Sequence, residues 1–263
     1  MARVKFIICI SFLLIGSTLT SLTAFSKYNE TQDGTIKLIM TGADSHYQHS
    51  YNQIQYVLNT DTPGYVRQSQ INIQTTDKTV VNEHYYNWRP GPLDYTGRAL
   101  DLGIKSTGTA FFCIQLPYGL GFTRDGRFRI NYQGTLVTLT GSHPLMGENG
   151  AIKIPNDNIS VNSAGTIFDE NGNRLDQIKI VVFKSTKDMN QLNTPNGVIF
   201  IADRAIDFVE DPQLYRVQQG WIETSNSHRS YDTKFYQNAY ESTIKTGQVI
   251  INTYRTASSL MTP

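Results

Sequence analysis

Few residues in this chain are of a type and spacing that could do chemistry. His46 and His49 stand three apart in a stretch with helical periodicity, close enough to share a metal ion. No third ligand stands near them, so a solvated helix face is the simpler reading. Asp169-x-Asn171-Gly172-Asn173 resembles a calcium loop in composition, but its glycine comes too early and no glutamate closes it. A hairpin turn fits that segment better. The chain carries no Gly-x-Ser-x-Gly elbow, phosphate loop or dinucleotide fingerprint. The expectation is a protein that is not an enzyme, with no catalytic, metal or cofactor-binding residues and no cofactor.

Charge and composition narrow the partners. The net charge is +1 and charged residues make up 17% of the 263, so no basic field exists to hold nucleic acid and no acidic run suggests a solvating tail. The length allows one sizeable core, or one compact domain with accessory segments. A polar chain with 15 tyrosines and 20 glycines suits an extracytoplasmic β-rich protein better than a metabolic α/β enzyme.

The first residues read as a targeting signal. Arg3 and Lys5 precede an apolar run from Phe6 to Gly16, and a small, polar stretch follows to Ser26. Cleavage is expected after Ser26. The apolar run is short against the roughly 20 residues of a membrane span, so membrane contact is expected only through this signal if it stays uncleaved. Cys9 leaves with it. Cys113 then stands alone in Ala110-Phe111-Phe112-Cys113-Ile114, which excludes an internal disulfide and reads as a small buried hydrophobe.

The elements behind these residues fall into three regions. Ile36, Met40, Ala43, Tyr47, Tyr51, Ile54 and Leu58 recur at three- and four-residue steps, which predicts a helix over about 35–59. Pro63 and Gly64 end it. From about Leu100 to Ile201, short apolar runs alternate with Asp125-Gly126, Asn149-Gly150, Asn171-Gly172 and Asn196-Gly197, the dipeptides that tight hairpins favour. Phe122 to Phe128 is expected to be one such hairpin, and Ile178 to Phe183 is the most strand-like run. Near the end, Tyr236, Tyr240, Thr243, Gly247, Ile250, Tyr254, Ala257 and Met261 form a heptad seam. The fold class expected is mainly β: an all-β central domain flanked by N- and C-terminal helices that pack together or on neighbouring subunits. The segments are 1–26 signal, 27–66 N-terminal helical segment, 67–98 linker, 99–215 β body and 216–263 C-terminal segment.

A series of motifs goes further. Asn59-x-x-Thr62-Pro63-Gly64-Tyr65 follows the first helix. Thr96-Gly97, Leu100-Asp101-Leu102-Gly103-Ile104, Gly108 to Phe112, Phe122-Thr123-Arg124-Asp125-Gly126, Gly134-x-Leu136-Val137-Thr138, Pro144-Leu145-Met146-Gly147 and Ile152-x-Ile154-Pro155 come in order. Gln219-Gly220-Trp221-Ile222-Glu223-x-Ser225-Asn226 and Gln237-x-Ala239-Tyr240-Glu241 close the series. In this succession the chain resembles the bacterial flagellar rod and hook family, most closely its rod members, over about 36–261.

The resemblance implies a structural subunit of the basal-body rod, the shaft that transmits torque to the hook. Its terminal helices would form the inner layer of a tubular filament, and the β body an outer layer. The implied partners are further copies of the chain and other rod or hook proteins, and the implied location is the periplasmic basal body. The implied assembly residues are Asn59, Thr62, Pro63, Gly64, Tyr65, Arg124, Asp125, Gly126, Gln219, Gly220, Ser225, Asn226, Gln237, Ala239 and Tyr240. The helix seam is Met40, Tyr47, Ile54, Ile250, Tyr254, Ala257 and Met261. Arg124 is expected to pair with a carboxylate, within the body or across a subunit contact. Two features depart from the family. Its rod subunits normally lack a cleaved signal, and 227–236 is unusually polar, with His228, Arg229, Asp232 and Lys234. The alternative reading is a periplasmic relative, secreted by the general route, that acts as an envelope or flagellum-associated adaptor.

Overall fold

Frequent glycine-bearing turns cut the chain into short strands, as their positive backbone angles require. The computed structural model describes residues 58–76 and 79–227, with Gln55 and a set of helical positions between 241 and 256. In chain order the strands are β1 (Gln68–Thr76), β2 (Thr79–Tyr86), β3 (Leu93–Tyr95), β4 (Leu102–Lys105), β5 (Ala110–Leu116) and β6 (Gly119–Thr123). There follow β7 (Phe128–Ile130), β8 (Leu136–Thr138), β9 (Met146–Gly147), β10 (Gly150–Ala151), β11 (Ser160–Val161), β12 (Thr166–Phe168), β13 (Arg174–Gln177) and β14 (Ile180–Phe183). A four-residue helix, α1 (Thr186–Met189), precedes β15 (Leu192–Asn193), β16 (Ile199–Ala202), β17 (Phe208–Val209), β18 (Arg216–Gln219) and β19 (Trp221–Glu223). The protein is mainly β, as its turn spacing implies.

Two units are distinguished. One comprises residues 59–67 and 86–228 and forms the β body. Its central sheet runs β15-β16-β6-β5-β14-β17, with every pairing antiparallel. Smaller ladders β3–β19, β4–β18, β7–β8, β9–β10 and β11–β12–β13 complete it. The other unit takes what is described of 1–58, 68–85 and 229–263, and in it β1 and β2 pair with each other.

The central sheet is covered on both faces because its strands alternate between two cores. In β5, Phe112 and Ile114 join Leu102, Phe128 and Leu136 in the first core. Phe111 and Cys113, one position over, join Trp88, Phe183 and Phe200 in the second. β14 divides likewise, with Ile180 and Val182 on one side and Val181 and Phe183 on the other. A strand buried on both faces reads as a continuous apolar run, as Ala110–Ile114 does. Each such Ile, Val or Phe contributes about 1.5–3 kcal/mol of burial. The second core is aromatic, and Phe111 meets Trp88, Phe183 and Phe200 edge-on at 5.6–6.0 Å between ring centres.

Three of the four expected turns close hairpins. Gly150, Gly172 and Gly197 each have positive φ and join β9–β10, β12–β13 and β15–β16. The Asp169 segment is the hairpin turn expected: its carboxylate accepts the amides of Asn171 and Asn173 at 2.9 and 2.8 Å. The fourth turn differs. Phe122 to Phe128 is not a hairpin, since β6 pairs with β5 and β16 while β7 pairs with β8. Asp125-Gly126 instead lies on a crossing between ladders. Gly126 is demanded there by close approach, because a Cβ would lie 1.6 Å from the Leu102 carbonyl oxygen.

The strands also extend past the expected body. Residues 67–98, expected as a linker, hold β1, β2 and β3, and the C-terminal segment begins with β18 and β19. Leu58 is helical and the chain turns at Asn59–Asp61, where the first helix is expected to end. Met40, Tyr47, Ile54, Gln237, Ala239, Tyr240, Ile250, Tyr254, Ala257 and Met261 lie outside the described residues, as do His46, His49 and residues 1–26.

Candidate functional site

The motif residues that lie far apart in sequence converge where the chain leaves and re-enters the β body. The N-terminal exit begins with a turn: the Thr62 amide donates to the Asn59 carbonyl at 3.0 Å and the Tyr65 amide to the Thr62 carbonyl at 3.2 Å. Pro63, Gly64, Tyr65 and Val66 are buried. Gly64 has φ +69°, and a Cβ there would lie 2.2 Å from the Asp125 amide nitrogen, so only glycine lets this turn rest on the Arg124-Asp125 backbone. The Gly64 amide donates to the Glu223 carbonyl at 2.8 Å, and the Val66 amide to that of Gly197 at 2.8 Å.

Asn226 ties three passages of chain together. Its side-chain oxygen accepts the Arg67 amide at 2.8 Å, and its side-chain nitrogen donates to the carbonyls of Asn87 and Arg89 at 2.5 and 2.7 Å. Its own amide donates to the Tyr65 carbonyl at 3.3 Å, and Asn87 donates to Arg67 at 2.8 Å. The passages of chain that leave at 65–67, return at 87–89 and leave again at 225–227 are thus bound side by side. Ser225 and Ser227, both buried, join through their hydroxyls.

Beneath this knot lies a buried ion pair. Arg124 Nη1 stands 3.7 Å from Glu223 Oε1, with the two side chains 1% and 5% exposed. Arg124 Nη2 donates to the Trp88 carbonyl at 3.2 Å, and the guanidinium lies 4.6 Å from the centre of the Phe111 ring. Glu223 Oε1 also accepts the Gly91 amide at 2.9 Å. Arg124 Nε and Nη1 have no hydrogen-bond partner. Burial pushes the Glu223 carboxyl above its ordinary range, and Arg124 and the Gly91 amide oppose that rise only in part. Burial likewise lowers the Arg124 guanidinium against the opposing pull of Glu223. The expected carboxylate partner of Arg124 therefore lies within the body.

The remaining motif residues brace this region. Asp125 is buried and takes Arg127 in a two-pronged contact, Nε to Oδ1 at 2.9 Å and Nη2 to Oδ2 at 2.8 Å. The Gln219 amide donates to the carbonyls of Ala99 and Ile159, both at 2.9 Å, and accepts from the Val161 amide at 3.0 Å. Gly220, with φ +78°, donates to Asp101 at 2.7 Å and accepts from the Thr96 amide at 2.8 Å. Gly64, Tyr65, Arg124, Asp125, Ser225 and Asn226 thus come together, while Gln219, bound to Ala99, and Gly220, bound to Asp101, form a second knot. Trp88 and Gly91 complete the junction without any sequence signal of their own, because what marks them is contact with segments distant in the chain, and Gly197, marked in sequence only as a hairpin turn, joins them through Val66.

Cys113, buried between aromatics, has its thiol pushed up to about 12 by burial. No three His, Cys, Asp or Glu among the described residues are grouped to hold a metal ion. A cleft of about 200 Å³ beside Ile178 is lined by Glu148, Lys179, Glu210 and Tyr215. Its charges are committed: Lys179 bonds Glu210 at 2.8 Å, and Arg174 bonds Glu148 at 2.5 Å.

Residues 106–169, spanning β5 to β12 and including Arg124, match the family model of the flagellar hook protein FlgE/F/G D1 domain. In this segment and in the relatives it matches, the chain is similar to the flagellar rod and hook proteins. It is 34% identical over 139 residues to the flagellar basal-body rod protein FlgG of Bacillus subtilis, 51% of this chain and 50% of that protein. It is 34% identical over 170 residues to the basal-body rod protein FlgF of Caulobacter vibrioides, 60% of this chain and 64% of that one. A FlgF of Buchnera aphidicola is 25% identical over 182 residues, 65% of this chain and 72% of the relative. The chain therefore spans from half to about seven tenths of these rod-family relatives. The Gly64 and Glu223 sides of the junction lie outside the matched D1 segment, and the Arg124 side lies within it.

Proposed function

We propose that this chain is a structural subunit of the flagellar basal-body rod, and that it polymerises through its two terminal segments with copies of itself and with other rod or hook proteins. The supporting observation is the junction itself. Gly64, Arg124, Glu223 and Asn226 bind the N-terminal exit and the C-terminal exit to one place on the β body. Both terminal segments then leave the body from a common root, which is what a subunit needs if paired terminal helices build an inner layer and the body an outer one. Load that reaches Gly64 or Asn226 is passed to the body through backbone hydrogen bonds and buried contacts.

The motif residues serve this role by fixing geometry. Thr62-Pro63-Gly64-Tyr65 turns the chain onto the body, and Ser225-Asn226 turns it off again. The seam residues on the terminal segments, from Met40 to Ile54 and from Ile250 to Met261, are the polymerising face. Residues 1–26 direct the chain to the periplasm, where the basal body is assembled. The experiment is to isolate hook–basal bodies from cells carrying a tagged chain. Co-purification in fixed ratio to the other axial proteins is expected. A tagged chain found wholly in the soluble periplasmic fraction of flagellated cells would reject the reading.

A further inference from the structure

The ion pair at the junction is badly suited to stabilising the protein. A wholly buried guanidinium with two nitrogens lacking hydrogen bonds, 3.7 Å from its carboxylate, recovers little of the desolvation that its charge costs. Its placement is more informative. Glu223 meets Gly64 through its carbonyl and Gly91 through its carboxylate, at 2.8 and 2.9 Å. Arg124 meets Trp88 through Nη2, and its backbone lies directly under Gly64. Two residues therefore touch all three passages of chain that cross the body's edge, the N-terminal exit through their backbones and the return through their side chains.

We propose that Arg124 and Glu223 are a positioning pair that makes these passages a single latch: the N-terminal exit at Gly64, the return at Trp88 to Gly91, and the C-terminal exit at Glu223 open and close together, as a unit less stable than the central sheet. If Glu223 moves, its carbonyl and carboxylate leave together, because both belong to one residue on β19. Arg124 then faces no carboxylate, and the segment that carries its Trp88 contact loses its other anchor at Gly91. The central sheet is independent of this step, since β5 and β14 hold each other by their own ladder. The inference concerns the junction alone and stands whether or not the chain is a rod subunit.

Site-resolved native-state hydrogen exchange on the full chain tests it. In the unaltered protein, the Gly64 and Gly91 amides are expected to exchange with equal opening constants and equal denaturant dependence, both faster than the Cys113 and Phe183 amides of the central sheet. Glu223→Gln keeps an oxygen for Gly91 and the carbonyl for Gly64, yet removes the charge facing Arg124. It is expected to speed both junction amides by the same factor, about tenfold or more, while the sheet amides quicken by no more than the fall in global stability requires. Arg124→Met, which removes the acceptor of neither amide, is expected to do the same. Acceleration of Gly91 without Gly64, or no change in either, overturns the latch. Should both variants fail to fold, the unaltered protein still decides it: unequal opening of Gly64 and Gly91 contradicts the proposal.

Discussion

Gly64 donates its amide to the carbonyl of Glu223 at 2.8 Å, so motifs near opposite ends of the chain are joined backbone to backbone. Glycine is required on one side of that bond by both conformation and space. With φ +69° and Asp125 nitrogen 2.2 Å from any added Cβ, Gly64→Ala pays a left-handed penalty of about 1–2 kcal/mol and a further overlap cost of about 1–3 kcal/mol. Urea unfolding is expected to show that loss as a lower midpoint with an unchanged slope.

Removing one member of the buried pair is expected to cost more than removing both charges. Arg124→Met alone leaves the Glu223 carboxylate buried and unpaired, at a cost of about 3–5 kcal/mol if it stays ionised. Combining it with Glu223→Gln keeps the Gly91 acceptor and removes that charge. The double variant is expected to be more stable than Arg124→Met, and a double-mutant cycle on denaturation midpoints measures the coupling.

The pair also sets a pH dependence. Burial raises the Glu223 carboxyl above its ordinary 4.5, so the folded protein holds that proton more tightly than the unfolded chain. The contribution is complete below 4.5 and is lost as pH rises through the folded-state value. Lowering the pH from neutral toward 4.5 is therefore expected to improve the unaltered protein relative to Glu223→Gln. Paired unfolding curves across that window check it.

Much of the body was legible in the sequence, and the reason is local. Asn149-Gly150, Asn171-Gly172 and Asn196-Gly197 impose positive φ within a few residues of the strands they join, so the turn chemistry alone marks them. Asp125-Gly126 carries the same signature for a different cause, the Leu102 backbone lying across it, and nothing local tells the two apart. β18 and β19 were hidden because their partners are β4 and β3, more than a hundred residues earlier. Arg124 was marked as needing a carboxylate. That it finds Glu223 depends on the β3–β19 ladder, which brings Glu223 opposite Leu93 and its side chain to Gly91.

Asn226 is expected to be intolerant of its acidic analogue. Asn226→Asp still accepts the Arg67 amide, but sets a carboxylate against the carbonyls of Asn87 and Arg89, which now receive donated bonds. A loss of about 1–3 kcal/mol is expected, with Asn226→Ala comparable. Limited proteolysis is expected to cut both variants earlier near 64–67 and 87–91.

Cys113 offers a probe of the body that is independent of the junction. With its thiol pushed up to about 12 and wholly buried, it is expected to react with thiol reagents only on opening of the central sheet. Its labelling rate is expected to rise with denaturant at the global slope.

The proposed function makes this chain an axial rod subunit rooted in the Gly64–Glu223 junction. Deleting its gene and imaging isolated basal bodies by electron microscopy tests that most directly. The account predicts basal bodies with an absent or truncated rod and non-swimming cells, restored by the unaltered gene. Complete basal bodies with hooks and filaments on swimming deletion cells would contradict it.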